Sequence, residues 1–276
     1  MADFAATPLL ATDTVAVWDV KCPGATGDES PEECASATHF VFPYRGVYVH
    51  HVGRKESIAD ASQVVVINDD EPYRVSHPVG GGDSSLSIGV SPATLMELLP
   101  TELLQNSGRA TLNRPRLRVD AHAQARAAVL RHRLRLRTIE GLEAETLTLD
   151  LIRHAVGQRF SGTRPITETS RRLVDHAKLV VSSDLRCRRT LADLAAEVGV
   201  SPTYLTEVFQ RVEGTPLYRY QLKLRLARAL DLLGEYDDVT ELALTLGFSS
   251  HSHFSAAFKQ TYGHTPSAFR RASGLR

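Results

Sequence analysis

The sequence predicts an α+β protein, with a β-rich front domain followed by an all-α domain built on two helix-turn-helix units. Three observations carry this. Short runs of β-branched and aromatic residues fill the first hundred positions, helical spacing takes over after residue 91, and an internal repeat occupies the last third of the chain. The 276 residues suit two ordinary domains, and a composition 42% hydrophobic and 23% charged is that of a soluble chain with a real core. No run approaches the ~20 apolar residues a membrane-spanning helix needs. The opening MADFAATPLLATDT lacks a basic segment ahead of an apolar one, so no signal peptide is expected. Three scattered cysteines (Cys22, Cys34, Cys187) make no disulfide framework, and a cytoplasmic location is the simplest expectation.

The net charge of zero hides an asymmetry. Residues 1–100 hold 5 Lys+Arg against 14 Asp+Glu, residues 101–164 hold 12 against 6, and residues 165–276 hold 15 against 12. An acidic front and a basic back direct any polyanion to the back.

Within residues 1–100, the runs THFVFPY (38–44), GVYVHHV (46–52), SQVVVIN (62–68) and SLSIGV (85–90) read as strands, separated by clusters of Pro, Gly, Asn and Asp. Such strands build a small sandwich or barrel. In 46–52, alternation puts Tyr48 and His50 on one face and Val47, Val49 and His51 on the other. Residues 101–164 are expected to form a helical dimerisation segment and linker, whose two amphipathic helices read either as packing on each other or as a dimer interface. Ser91-Pro92 opens a short helix before it. A longer helix starts near Asp120, with Ala125, Val129 and Leu136 on its apolar face and Arg126, Arg131, Arg133, Arg135 and Arg137 elsewhere. A further helix, about 140–157, places Leu142, Leu149, Ile152 and Val156 on a stripe, and GQRFSGTRP (157–165) reads as the linker.

Residues 165–276 are predicted helical throughout, and the repeat lies here. Helix-turn-helix units are placed at 190–212 and 239–262. Each has an alanine four positions before a glycine, Ala195 to Gly199 and Ala243 to Gly247. Alanine lets two helices approach, and glycine supplies the positive φ of the tight turn. Ser201-Pro202 is a strong opening for the second helix of the first unit; Ser249 or Ser250 serves the other. Leu205 and Phe209 follow the first glycine by six and ten positions, Phe254 and Phe258 the second by seven and eleven, so the second turn is one residue longer. Gly214-Thr215-Pro216 and Gly263-His264-Thr265-Pro266 form matching exits. The connecting helix, 215–235, carries Leu222, Leu226, Ala229 and Leu233 along one side; at 1.5 Å per residue it is ~30 Å long and can set two recognition helices into adjacent major grooves.

With these residues in view, the stretch GFSSHSHFSAAFKQTYGHTPSAFRR (247–271) resembles the AraC/XylS family of transcription regulators, strongly over about 169–272. More weakly, VFPYRGVYVHHVGR (41–54) and INDDEPYRVSHP (67–78) resemble the cupin-like effector-binding domains that such regulators carry. The resemblance implies sequence-specific binding of double-stranded DNA, a homodimer, a small-molecule effector in the front domain and RNA polymerase as a candidate partner. The residues left exposed on the second helices are Thr203, Tyr204, Thr206, Glu207 and Gln210, then His251, Ser252, His253, Ser255 and Ala256. The resemblance places base contacts on Thr203, Thr206, Glu207, His251, Ser252, His253, Ser255 and Ala256. Glu207 and Ala256 stand where an arginine is frequent in the family, so a bidentate contact to guanine is missing at both. Glu207 either accepts from cytosine N4 or only repels phosphate. Arg211, Lys259, Arg270 and Arg271 are the expected phosphate ligands.

The barrel interior is the default place for a small ligand, with Trp18, Phe42, Tyr48, His50, Tyr73 and Arg74 as candidate lining residues. His50 and His51 are adjacent and point to opposite faces, and Glu56 is poorly spaced from them, so no metal and no cofactor is expected. Cys22 and Cys34 read either as a thiol sensor or as residues without a role. No nucleophile–base arrangement, P-loop or Gly-x-Gly-x-x-Gly motif appears, so no catalysis is expected. The rival reading is a metal-dependent cupin enzyme fused to a DNA-targeting domain.

Overall fold

In the computed structural model, which describes residues 4–24, 29–99, 103, 111–157, 167–187 and 189–275, the front of the chain forms two antiparallel sheets. Strands β1 (Ala5–Ala11), β2 (Val15–Cys22), β4 (Thr38–Arg45), β7 (Gln63–Ile67), β9 (Asp83–Val90) and β10 (Arg116–Arg118) make the first, in the order β1-β2-β9-β4-β7-β10. The second has β3 (Glu33–Cys34), β5 (Tyr48–Val52), β6 (Lys55–Ala59) and β8 (Pro72–Ser76), in the order β3-β8-β5-β6. β9 lies between β2 and β4 and is buried on both faces, whereas the early part of β2 alternates buried and half-buried residues. The register shifts between Pro43 and Arg45, where a proline is tolerated because the ladder is already broken, and Gly46 (φ 73°) turns the chain into β5.

Helix α1 (Pro92–Leu98) begins as the sequence predicts, with Ser91 accepting from the Thr94 amide and proline in the first turn. Asp120 caps α2 (Ala121–Arg135), and α3 (Gly141–Gly157) follows. Both helices join the sheet's core: Ala123, Ala127, Leu130 and Leu134 of α2, and Ala144, Leu151, Ile152 and Ala155 of α3, pack with Val17, Phe40, Val66 and Ile88. Ala121, Ala125, Ala128 and Val129 on the other side of α2 pack against the C-terminal helices. Two expectations are corrected here. The predicted single stripe fails because α2 is clamped between two layers: Leu136 is its half-exposed C-cap, and Arg131, expected on the outer side, is 1% exposed. On α3, Leu142 is 80% exposed, and its place in the core is taken by Ala144, Thr148 and Leu151. Residues 158–165 of the expected linker lie outside the described residues.

The C-terminal half is helical: α4 (Glu168–Ser183), α5 (Leu191–Val198), α6 (Pro202–Glu213), α7 (Leu217–Leu232), α8 (Val239–Thr245), α9 (His251–Tyr262) and α10 (Pro266–Ala272). Thr190 and Asp193 form a reciprocal capping box on α5, and Ser201, Ser250 and Thr265 cap α6, α9 and α10. α7 spans 16 residues, about 24 Å at 1.5 Å per residue, shorter than the ~30 Å expected. Leu226, Ala229 and Leu233 are buried on it as predicted and Leu222 is half-buried. Leu217, Tyr220, Leu224 and Leu230 are buried too, because α7 touches both helix-turn-helix units and the front domain.

Candidate nucleic-acid interface

Each helix-turn-helix unit is assembled by the devices the repeat announces. Gly199 and Gly247 adopt φ of 80° and 79°, the left-handed region, and Ala195 and Ala243 are buried against the next helix. At Gly247 a Cβ would also lie 2.7 Å from the Arg186 carbonyl oxygen, so glycine is required by space as well as by φ. Leu205, Phe209, Phe254 and Phe258 are fully buried. α6 starts at Pro202 and α9 at His251, three and four residues after their glycines, which is the longer second turn.

Turning those anchors inward leaves a polar outer face on both helices. Thr203, Tyr204, Thr206, Glu207 and Gln210 are exposed on α6; His251, Ser252, His253 and Ala256 are exposed on α9, with Ser255 half-buried. Several of these groups are held by local bonds. The Thr206 hydroxyl donates to the Thr203 carbonyl at 2.7 Å, His253 Nδ1 lies 3.1 Å from the Ser249 hydroxyl, and His251 Nε2 lies 3.2 Å from that of Ser255. Arg211, Lys259 and Arg271 are exposed beside these faces. Arg270, expected on phosphate, is a correction. Its guanidinium donates to the carbonyls of Leu233 (2.8 Å), Tyr236 and Asp237, closing the end of α7 instead of facing solvent.

Two buried ionic clusters join this domain to the front one. Lys178 on α4 is 0% exposed, with Nζ 3.2 Å from Asp60 Oδ2 and 3.3 Å from Glu213 Oε1, and the Tyr220 hydroxyl donates to Asp60 at 2.9 Å. Burial by itself would raise the Asp60 carboxyl; Lys178 and hydrogen bonds from Ser62 and Tyr220 outweigh it and hold the group below its usual range. Arg118 adds bonds to the Val212 and Glu213 carbonyls at the end of α6. In the second cluster, Asp231 of α7 accepts from Arg131 (2.8 Å), from Arg45 (3.0 Å) and from Arg228. Arg131 also stacks on Tyr44, 3.7 Å from the ring centre. Asp231 too is held low, the three arginines outweighing burial. The neighbouring His132 is pushed down to about 4 by burial and by Arg131, so it is neutral and donates from Nε2 to the Leu230 carbonyl at 2.8 Å. The sequence hid all of this, because the partners are far apart in the chain.

Between the two sheets lies a cavity of about 680 Å³. Trp18, Tyr48, His50 and Tyr73 line it; Phe42 and Arg74 do not. Phe42 is packed in the core, where β4 meets α2, and Arg74 points outward to Glu29 (3.3 Å) and Glu32 (3.6 Å). His39 also lines the cavity, stacked on Trp18 and 2.9 Å from the Ser87 hydroxyl. His50 is 2% exposed and pushed down to about 4 by burial and by His51, and its Nε2 has no hydrogen-bond partner among the described residues. Glu29, Glu33 and Asp83 are the acids on the wall; no lysine or arginine is among the described lining residues. Sequence reasoning weighed His50, His51 and Glu56 as metal ligands. The structure instead gathers Cys22, His77 and Asp83 at one end of this cavity, with candidate ligand atoms all within 4.8 Å of one another. Only strand pairing could have shown that trio.

A helix-turn-helix domain family model matches residues 194–272. The HTH-type transcriptional regulator YidL of Escherichia coli K12 is 36% identical over 102 residues, which are 37% of this chain and 34% of that protein. The regulatory protein PocR of Salmonella typhimurium is 32% identical over 111 residues, 40% of this chain and 35% of PocR. The chain thus spans about a third of the length of these curated relatives, and their names describe regulators, not enzymes. The crystal structure of an AraC-type transcriptional regulator from Chromobacterium violaceum is 30% identical and covers 39% of this chain and 96% of its own, at a TM-score of 0.37. Among the described residues no helix is long and apolar enough to cross a membrane. Residues 194–272 thus form a helix-turn-helix domain similar to those of these transcriptional regulators.

Proposed function

We propose that this protein is a one-component transcription regulator that binds specific double-stranded DNA through α6 and α9 and is switched by a small effector in the front-domain cavity. The observation that carries the reading is the pair of helices with buried apolar anchors and exposed polar faces. Bases are read by Thr203, Tyr204, Thr206, Glu207 and Gln210 on α6 and by His251, Ser252, His253, Ser255 and Ala256 on α9. Arg211, Lys259 and Arg271 hold phosphates. The division expected at 1–100, 101–164 and 165–276 becomes two units, because β10, α2 and α3 share the core of the front sheet: an effector-binding unit running to residue 157 and a DNA-binding unit at 165–276.

The switch has a physical route. β4 carries His39 and Val41 into the cavity and Arg45 into the Asp231 cluster, while β5 pairs with β6, which ends beside Asp60. An effector that shifts these strands shifts the anchors of α7 and α4, and so the placement of the two DNA-reading helices. The protein acts as a homodimer on paired half-sites, with RNA polymerase as a further partner. Because both sides of α2 are occupied within the chain, a dimer contact in the helical segment would use the outer side of α3, where Leu142 is exposed.

The test is to incubate the full chain with a random duplex pool, sequence what it retains, and repeat with candidate effectors. Enrichment of one motif, altered by an effector, is expected. Retention of no duplex above a non-binding control would overturn the reading.

A further inference from the structure

We propose that Cys22, His77 and Asp83 form a binding site for a borderline divalent cation, zinc in the first place, with the fourth coordination position left to the cavity. The three residues come from both sheets. Cys22 ends β2 and Asp83 begins β9, and they are direct cross-strand partners, so their side chains share one face. His77 follows β8 and lies opposite, its Nε2 2.6 Å from Asp83 Oδ1.

The backbone holds this arrangement by close approach. Gly24 and Gly82, both at positive φ, bring the strand end at Cys22–Pro23 onto the turn before Asp83; a Cβ on Gly82 would sit 2.1 Å from the Cys22 carbonyl oxygen. No other residue type fits there, and that contact sets the thiol beside the carboxylate.

The donor set selects the ion. One thiolate, one imidazole and one carboxylate suit zinc, whose bonds of ~2.0–2.3 Å place tetrahedral ligand atoms about 3.3–3.8 Å apart. The three donors, already within 4.8 Å of one another, need only small rotations to reach that spacing. The Ser85 hydroxyl, 3.4 Å from Asp83 Oδ2, is placed to orient the carboxylate. The cavity wall carries three carboxylates, of which Glu29 is paired with Arg74 outside it, and among its described lining residues no lysine or arginine, so Glu33 and Asp83 leave a local field that favours a cation. Binding breaks the hydrogen bond between His77 and Asp83, moves the imidazole proton from Nε2 to Nδ1 so that Nε2 can ligate, and releases the thiol proton to solvent as the sulfur–zinc bond forms. With three protein ligands, the ion keeps one position for water or for a nitrogen, oxygen or sulfur donor of a cavity ligand. The site does not depend on the DNA-binding reading, since either can fail while the other stands.

The experiment uses the full chain, stripped with chelator and titrated with Zn²⁺ and with Co²⁺. One equivalent per chain and a near-ultraviolet thiolate-to-Co²⁺ absorption are expected. Cys22→Ser should abolish that absorption and weaken Zn²⁺ binding by at least about tenfold, since even loss of an outer partner costs ~10–100-fold; Cys34→Ser and Cys187→Ser should change neither. In the unaltered protein, Zn²⁺ should slow alkylation of Cys22, mapped by mass spectrometry, and leave Cys34 and Cys187 as reactive as before. This arm needs no variant to fold. Absence of a stoichiometric equivalent, an absorption that survives Cys22→Ser, or Cys22 alkylated equally fast with and without zinc would each overturn the proposal.

Discussion

The two helix-turn-helix units share one plan, yet they are built and anchored by different chemistry. The first packs aliphatic residues of α4, α5 and α6 around Phe209 and Tyr220, and it is fastened to the front domain by charge: the buried Lys178 and Asp60, with the part-buried Glu213 and Arg118 beside them. In the second, Phe248, Phe254, Phe258, Phe269 and Tyr262 stack edge to face at 4.8–5.9 Å, and Ala121, Ala125, Ala128 and Val129 of α2 meet it across an apolar seam. The difference matters for switching. An ionic seam weakens sharply when one charge moves or is neutralised, whereas an apolar seam yields gradually with area lost. The first unit, whose seam is ionic, is therefore the more responsive of the two; the second, held by the apolar side of α2 as well as by the Asp231 cluster near the end of α7, is the steadier platform.

Lys178→Ala breaks this contrast most directly. It leaves the buried Asp60 without its cation, while the part-buried Glu213 keeps only Arg118 at 3.8 Å, and an uncompensated buried charge costs about 3–5 kcal/mol. Urea unfolding of the full chain measures it; a loss under ~1 kcal/mol would show that water already solvates the seam. Acid tests the same feature without mutation. The Asp60 and Asp231 carboxyls are held low in the folded protein, so the stability they contribute is present above the unfolded carboxylate value, ~3.9, and is lost as pH falls through their folded values. Below about pH 4, amide exchange should rise first in α4, α6 and α7. Equal rises in α9 would erase the distinction between the seams.

A smaller effect separates the two reading helices. On α9, Ser252→Ala or His253→Ala should weaken specific DNA binding by ~1–3 kcal/mol per good base contact. Ser252→Ala should leave the melting temperature unchanged, while His253→Ala, which also loses the bond to Ser249 and the edge contact with Phe248, should lower it slightly. On α6, Thr206→Ala should cost less, because that hydroxyl already donates to the Thr203 carbonyl. Glu207→Gln removes an exposed negative charge from the same face and should tighten binding by about 0.5–1 kcal/mol, the scale of an exposed charge pair, most visibly at low salt. Fluorescence anisotropy against the selected duplex reads all four variants. Looser binding by Glu207→Gln would show that the carboxylate accepts a hydrogen bond from a base.

How much of this was legible in the sequence follows from how local each feature is. The repeat was readable because its determinants sit within a dozen residues of one another: Gly199 and Gly247 at the turns, Ser201 and Ser250 at the caps, Phe209 and Phe258 inside. Four strands of the front domain, β4, β5, β7 and β9, were readable from residue type and turn clusters; β1, β3, β6, β8 and β10 lack so clear a run of β-branched and aromatic residues and, with β2, were not picked out. α2 was misread because a helix clamped on both sides has no single apolar stripe, and Arg131 is buried only because Asp231 and Tyr44 meet it there. Arg270 carried the residue type of a phosphate ligand, while its three carbonyl partners arise only once α7 and α10 are packed. The cavity wall and the trio of Cys22, His77 and Asp83 are products of strand pairing, which no local spacing encodes.

The smallest expected effect checks the steadier seam. The Tyr262 hydroxyl donates to Gln124 Oε1 at 3.3 Å, and Gln124 in turn donates to the Ala61 carbonyl, so one glutamine ties α9 to the front sheet. Tyr262→Phe keeps the ring, its stacking on Phe258 and its apolar contact, and removes only the hydroxyl. The net worth of such a bond is about 0.5–1.5 kcal/mol, far below the Lys178 effect. If the seam is chiefly apolar, the variant should lose no more than that in urea unfolding and should bind DNA as before. A loss comparable to that of Lys178→Ala would mean that the second unit also hangs on a polar contact, and the contrast between the two units would collapse.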